Sequence, residues 1–177
     1  MLQPKHLILD ANCLINLYAS GCMGDILRYI PKIFTLTDYV QQAEALFIRN
    51  PQETINLQPL IDSGLLTIVS LESETEELQF INLASDLDDG EAMTGAIALQ
   101  RHWVIATDEQ KARAILALVM PASHIVTTLE LVKYWADNQQ IDFVTIQFVL
   151  QQIRRRARYM PPKTHVLYSW WQSFNVY

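Results

Sequence analysis

Two short apolar runs in this chain each end on an aspartate: His6-Leu7-Ile8-Leu9 runs into Asp10, and Trp103-Val104-Ile105-Ala106-Thr107 runs into Asp108. An amphipathic helical pattern follows each. In parallel α/β sheets, ligands bind beyond the carboxyl ends of strands, beside the point where strand order reverses, so two carboxylates delivered this way can share one site. Two further acids lie between them. Glu44 falls in a helical pattern after the run 33–37, and Glu91 opens a helix in Asp88-Asp89-Gly90-Glu91-Ala92. Carboxylates gathered within a few ångströms raise one another's pKa, and a hard divalent cation relieves that repulsion. Magnesium or manganese suits such oxygen donors, whereas zinc calls for clustered His or Cys. His6, His102, His124 and His165 are scattered without ligand spacing.

Each acid also has an ordinary structural role open to it. An acid after a strand commonly caps the following helix or meets its dipole. Asp88 and Glu91 have the spacing of a capping box, which would let Glu91 close its own helix start. A helical Glu such as Glu44 is ordinarily a solvated surface residue. It is the ordered set, with two members at strand ends, that points to a site.

The elements that must position this set follow from hydrophobic periodicity. Five short β-branched or apolar runs, 6–9, 33–37, 66–69, 103–107 and 124–128, read as strands. Helical patterns separate them, and that alternation predicts a parallel sheet with helices on both faces. Right-handed crossovers bring Asp10 and Asp108 to one sheet edge if their strands are neighbours. Two helices fit between the first two strands, with Gly21 and Gly24 as the break, and further helices are expected over 53–62 and 73–84. Ser73 and Glu76 have capping-box spacing. A long pattern over 141–158 stops at Pro161-Pro162 and leads into an aromatic tail of Tyr168, Trp170, Trp171 and Phe174. The adjacent tryptophans are expected to pack rather than to stack on bases. The organisation read from this is a domain over 1–140, with a C-terminal helix and tail, 141–177, packed on it.

At 177 residues, half of them hydrophobic and 18% charged, the chain has the composition of one globular domain. Its formal net charge of −6 and acidic pI argue against coating nucleic acid by bulk attraction, which takes many Lys and Arg at phosphates. Any contact with phosphate must therefore be local. Lys111 and Arg113 follow Asp108 on one helical pattern. Arg154, Arg155, Arg156, Arg158 and Lys163 place five of the thirteen basic residues within ten positions, either as an RNA or partner contact or as a solvated helix end favoured by the dipole. Cys13 and Cys22 are too few for a disulfide framework and read as reduced thiols near the first helix. No apolar stretch reaches the ~18 residues needed to span a bilayer and no secretory pattern opens the chain, so a cytoplasmic protein without a membrane partner is expected.

Taken in order, these residues resemble the four-acid pattern of the PIN domain, the metal-dependent nuclease fold that includes the VapC toxins of bacterial toxin–antitoxin pairs. The resemblance covers about residues 6–132. Leu7-Ile8-Leu9-Asp10-Ala11-Asn12 is similar to the opening strand and acid, and Val40 to Glu44 to the second-acid helix. Gly90-Glu91-Ala92, with Ala96 and Ala98, resembles the third-acid helix of a subgroup with a Gly-Glu start, and Val104-Ile105-Ala106-Thr107-Asp108 the fourth. The resemblance implies a three-layer α/β/α fold around a parallel sheet of about five strands. It also implies an Mg²⁺- or Mn²⁺-dependent endoribonuclease in which Asp10, Glu44, Glu91 and Asp108 hold the metal and catalyse. Asn12, Thr107 and Asp89 would support them. The implied partners are an RNA substrate, a small antitoxin protein and a second copy of the chain. Two positions depart from the family pattern: Ala11 stands where Thr or Ser is usual, and Glu91 where Asp is common, so Asp88 and Asp89 compete for the third acid. A PIN scaffold that no longer cleaves and serves as an RNA- or protein-binding module is the alternative. On the metal-cage reading, Asp10→Asn and Asp108→Asn each remove activity and leave stability equal or higher.

Overall fold

A computed structural model describes residues 5–42, 46–49 and 52–176. In chain order the elements are β1 (His6–Leu9), α1 (Ala11–Ala19), α2 (Met23–Tyr29), β2 (Ile33–Thr37), α3 (Asp38–Gln42), β3 (Phe47–Arg49), β4 (Gln52–Thr54), α4 (Gln58–Asp62), β5 (Leu66–Val69) and α5 (Glu74–Leu83). They continue with α6 (Asp89–Gln100), β6 (Val104–Ala106), α7 (Gln110–Leu116), β7 (Ile125–Val126), α8 (Thr128–Asn138), α9 (Phe143–Arg156) and α10 (Tyr168–Ser173).

Five strands form one parallel sheet in the order β5-β2-β1-β6-β7. Leu7, Ile8 and Leu9 of β1 are all buried, as a sheet covered on both faces requires. Because successive side chains alternate, Leu7 and Leu9 join the apolar cluster with α1, α2, α8, α9 and α10, while Ile8 joins Ile105 and the α5–α7 side. That division makes the three layers. Each fully buried Leu or Ile contributes about 1.5–3 kcal/mol relative to exposure. On the second face α6 lies close to its neighbours, because Gly90, Ala92, Ala96 and Ala98 are small and buried. A Cβ on Gly95 would stand 3.1 Å from both Leu83 and Leu116.

The chain builds outward from β1 through β2 to β5, then returns to the other side of β1 for β6 and β7. Strand order therefore reverses between β1 and β6, where Leu9 pairs with Ala106. The residues after both strands emerge together at this switch point.

Several local readings change. The expected helix over 53–62 begins later: Gln52–Thr54 pairs antiparallel with Phe47–Arg49, and α4 covers only 58–62, with Pro59 in its first turn. The last two strands of the sheet shrink to Val104–Ala106 and Ile125–Val126. Gly21, at φ +75°, makes the break after α1, and Gly24 lies inside α2. Ser73 caps α5 through Glu76 N at 3.2 Å. The Glu76 carboxylate, however, turns to Glu72 N and the Arg101 guanidinium, so the reciprocal half of that box is absent. Ile146, Val149, Leu150, Ile153, Trp171 and Phe174 belong to the same cluster as β1, and Trp171 is buried. Trp170 meets Phe174 edge-on and Lys133 over its face. Both cysteines are free thiols. Among the described residues no helix is long and apolar enough to cross a membrane.

Candidate active site

Asp10 follows β1 in extended conformation and caps α1, its Oδ1 accepting the Ala11 N–H at 2.8 Å. It is only 2% exposed. Its own N–H donates to Ala106 O at 3.0 Å, which extends the β1–β6 pairing by one bond. Thr107, the residue after β6, donates Oγ1–H to Asp10 Oδ2 at 3.1 Å and accepts the Glu109 N–H at 3.2 Å. The pairing of β1 with β6 thus orients one carboxylate through a hydroxyl from the neighbouring strand end.

Asp108 stands one residue further on and turns toward α1 and α8. Its Oδ2 accepts from Asn16 Nδ2 at 2.8 Å, from Cys13 Sγ at 3.4 Å and from the Thr128 hydroxyl in a short contact. Its Oδ1 accepts Thr128 N at 3.1 Å and Tyr159 Oη at 3.4 Å. A carboxylate has about four lone-pair sites, so these five donors use its full capacity. Burial and the Asp108 charge push the Cys13 thiol and the Tyr159 phenol well up, so both stay protonated as donors. Cys13, Asn16, Thr128 and Tyr159 were not anticipated from the sequence. The signal for the first two was a pair of hydrogen-bonding side chains three residues apart among the apolar positions of one helical pattern.

Glu91 is the third residue of α6 and forms a complete capping box with Asp88: Glu91 N donates to Asp88 Oδ1 at 2.8 Å, and Asp88 N reaches Glu91 Oε2 at 3.4 Å. Burial first, then the carboxylates of Asp88 and Glu109, raise the Glu91 pKa, with Lys111 opposing. Glu109, exposed and with no side-chain partner among the described residues, is the strand-end acid whose charge reaches Glu91. Asp89 accepts Tyr39 Oη at 3.3 Å and ties α6 to α3. Glu44 lies outside the described residues.

The cations divide. Arg156 donates to Ala19 O at 2.9 Å and pairs with Glu53 at 2.8 Å, joining α9 to the end of α1 and to β4. Lys111 Nζ donates to the Asp86 carbonyl in a short contact. Arg113 is half-buried beside Tyr159 and His165, and its Nε has no partner. Among the described residues Arg154, Arg155 and Arg158 make no ion pair. Arg158 borders an open cleft of about 440 Å³ whose lining includes Asn12, Asp108, Glu109, Gln110 and Tyr159.

A divalent cation fits the donor chemistry of this edge, where the exposed groups are carboxylates that repel one another. Glu91 and Glu109 have the capacity to bind it, whereas Asp108 would have to exchange protein donors to do so. Among the described residues no three His, Cys, Asp or Glu stand together closely enough to hold an ion by themselves.

A doubly covered parallel sheet with acids at its switch point defines an α/β/α protein whose candidate site lies between β1 and β6. A family model described as a PIN domain matches residues 6–167, and the chain belongs to that family. The family is one of nucleases, hydrolases that typically use divalent metals. No curated protein and no solved structure matches the chain.

Proposed function

We propose that this protein is an Mg²⁺- or Mn²⁺-dependent endoribonuclease that hydrolyses RNA phosphodiesters. The observation that carries the reading is the β1–β6 switch point, where Asp10, Thr107, Asp108 and Glu109 emerge beside an open cleft. Asp10, Glu44, Glu91 and Glu109 would hold the cation, while the carboxylate of Asp108 is taken up by protein donors. When bound, the ion supplies a lowered water pKa and a counter-charge for the phosphodiester oxygens. Thr107 fixes the orientation of Asp10 through Oδ2. Asp108 holds α1, α8 and Tyr159 in place, and the exposed Glu109 carboxylate has its oxygens open to a cation. Substrate phosphates are held by the unpaired arginines at the end of α9. The setting we propose is a toxin neutralised by a small antitoxin; a small neighbouring reading frame with a DNA-binding pattern would support it.

A specific observation favours a second reading. The saturated carboxylate of Asp108, with Ala11 lacking a hydroxyl beside Asp10, suits a scaffold that binds RNA or a protein without cutting. Incubation of the full chain with single-stranded RNA in Mg²⁺ or Mn²⁺, against EDTA, separates the two. Metal-dependent fragments that EDTA abolishes are expected; RNA binding with no fragments in either metal would establish the scaffold.

A further inference from the structure

The cleft beside Asp108 is built from three parts of the chain. Asn12, Ile15 and Asn16 come from α1, and Asp108, Glu109 and Gln110 from the β6–α7 junction. Ala157, Arg158, Tyr159, Met160 and Pro162 come from the segment after α9. Its volume lies within the ~300–1,000 Å³ of small-ligand sites. Asn12, Gln110 and Arg158 are exposed there, and their side chains have no hydrogen-bond partner among the described residues. Ile15, Met160 and Pro162 supply an apolar wall.

Arg158 sits in this wall at a cost. Helix α9 ends at Arg156, the N–H of Ala157 bonds back to Ile153 O, and Arg158 takes φ +58°. That left-handed position after a helix is where glycine is favoured, and an L side chain there is strained. The turn is fixed on its far side by Tyr159, whose hydroxyl donates to Asp108 and whose ring meets Trp171 edge-on at 5.9 Å. Arg158 is the one cation among the residues lining the cleft, and it pairs with neither Asp108 nor Glu109. A ligand for such a space carries an anionic group for Arg158, hydrogen-bonding edges for the two amides and an apolar face.

We infer that this cleft is a nucleotide subsite for single-stranded RNA, in which Arg158 holds the phosphate flanking the one that is cut. The inference rests on the nuclease reading above. Asn12 and Gln110 meet sugar or base edges, and the Met160–Pro162 wall covers the base. Glu109 and Asp108 exclude a second phosphate from the same space, so the subsite takes one nucleotide.

The test combines a variant with a substrate change. Arg158→Gly removes the cation and relieves the left-handed strain; Arg158→Lys keeps the charge. Binding of a short single-stranded oligoribonucleotide is measured in EDTA over a salt series, for wild type and both variants. For Arg158→Gly, affinity is expected to fall about tenfold with the salt slope reduced by about one, while the melting temperature stays equal or rises. Arg158→Lys is expected to retain the slope. Oligonucleotides with a single uncharged methylphosphonate, moved along the strand, should weaken wild type at one flanking position and leave Arg158→Gly indifferent there. Wild-type binding and cleavage with an unchanged Arg158→Gly would overturn the subsite alone. Failure of the wild type to bind or cleave RNA would overturn the nuclease reading and the subsite with it.

Discussion

The hydroxyl of Thr107 donates to Asp10 Oδ2 at 3.1 Å, a bond between residues 97 positions apart that exists because Leu9 and Ala106 are partners in adjacent parallel strands. Both groups are buried, so the bond fixes the carboxylate and satisfies one of its oxygens.

Replacing Thr107 by Val keeps the shape and removes the donor. Leaving a buried oxygen short of its partner costs about 1–3 kcal/mol. The expected result is a lower urea midpoint together with reduced metal-dependent cleavage, and Thr107→Ser restores both. A Val variant with wild-type stability and rate would show that Thr107 does not orient Asp10.

Asp108 and Glu109 are expected to separate in stability. Asparagine at 108 brings an NH₂ group against donors from Asn16, Thr128, Cys13 and Tyr159, so Asp108→Asn is expected to destabilise by about 1–3 kcal/mol. This reverses the expectation from charge repulsion alone. Glu109→Gln, at an exposed and unpaired side chain, should leave the melt unchanged and lower cleavage. The opposite pattern, a neutral Asp108→Asn melt with abolished activity, would return Asp108 to the metal-holding role.

The arginine run splits into a joint and a free surface. Arg156→Gln loses the bonds to Ala19 O and Glu53, and thermal melts should show a loss of about 1 kcal/mol. Arg155→Gln should leave stability unchanged and weaken RNA binding with a flatter salt dependence. Equal melts for the two variants would place Arg156 on the solvated face as well.

His165 latches the tail to the start of α8. Its Nδ1 accepts the Leu167 N–H at 3.0 Å, so Nε2 carries the proton and donates to Thr127 Oγ1, also at 3.0 Å. Burial, with Arg113 adding, lowers its pKa against the opposing pull of Glu130 and Asp108. A histidine with a lowered folded pKa binds fewer protons folded than unfolded, so stability falls as pH drops from about 6.5 toward the folded value. Melts from pH 7.5 to 5 should show this decline in wild type and a flatter profile in His165→Gln. Parallel profiles would mean that His165 does not titrate with unfolding.

Much of this protein is legible in its chain. The runs 6–9 and 33–37 bury on both faces, while the edge run 66–69 leaves Thr67 exposed, and apolar runs of this kind bounded by helical patterns have few folds other than a covered parallel sheet. Asp10, Thr107 and Asp108 could be placed at one edge because strand ends are local features and crossover handedness is fixed by backbone twist. The capping box of Asp88 and Glu91 was readable for the same reason: its partners are three residues apart. What the chain could not reveal is where each carboxylate points. Asp108 is filled by Cys13, Asn16, Thr128 and Tyr159, residues 20 to 95 positions away, and only packing of α1, α8 and the post-α9 turn against one sheet edge brings them together. The same holds for the arginines, since identical side chains in one run become a joint at Arg156 and a cleft wall at Arg158 according to which neighbour the fold supplies. Periodicity is written in local spacing, but the partner that satisfies a buried polar group is chosen by tertiary packing.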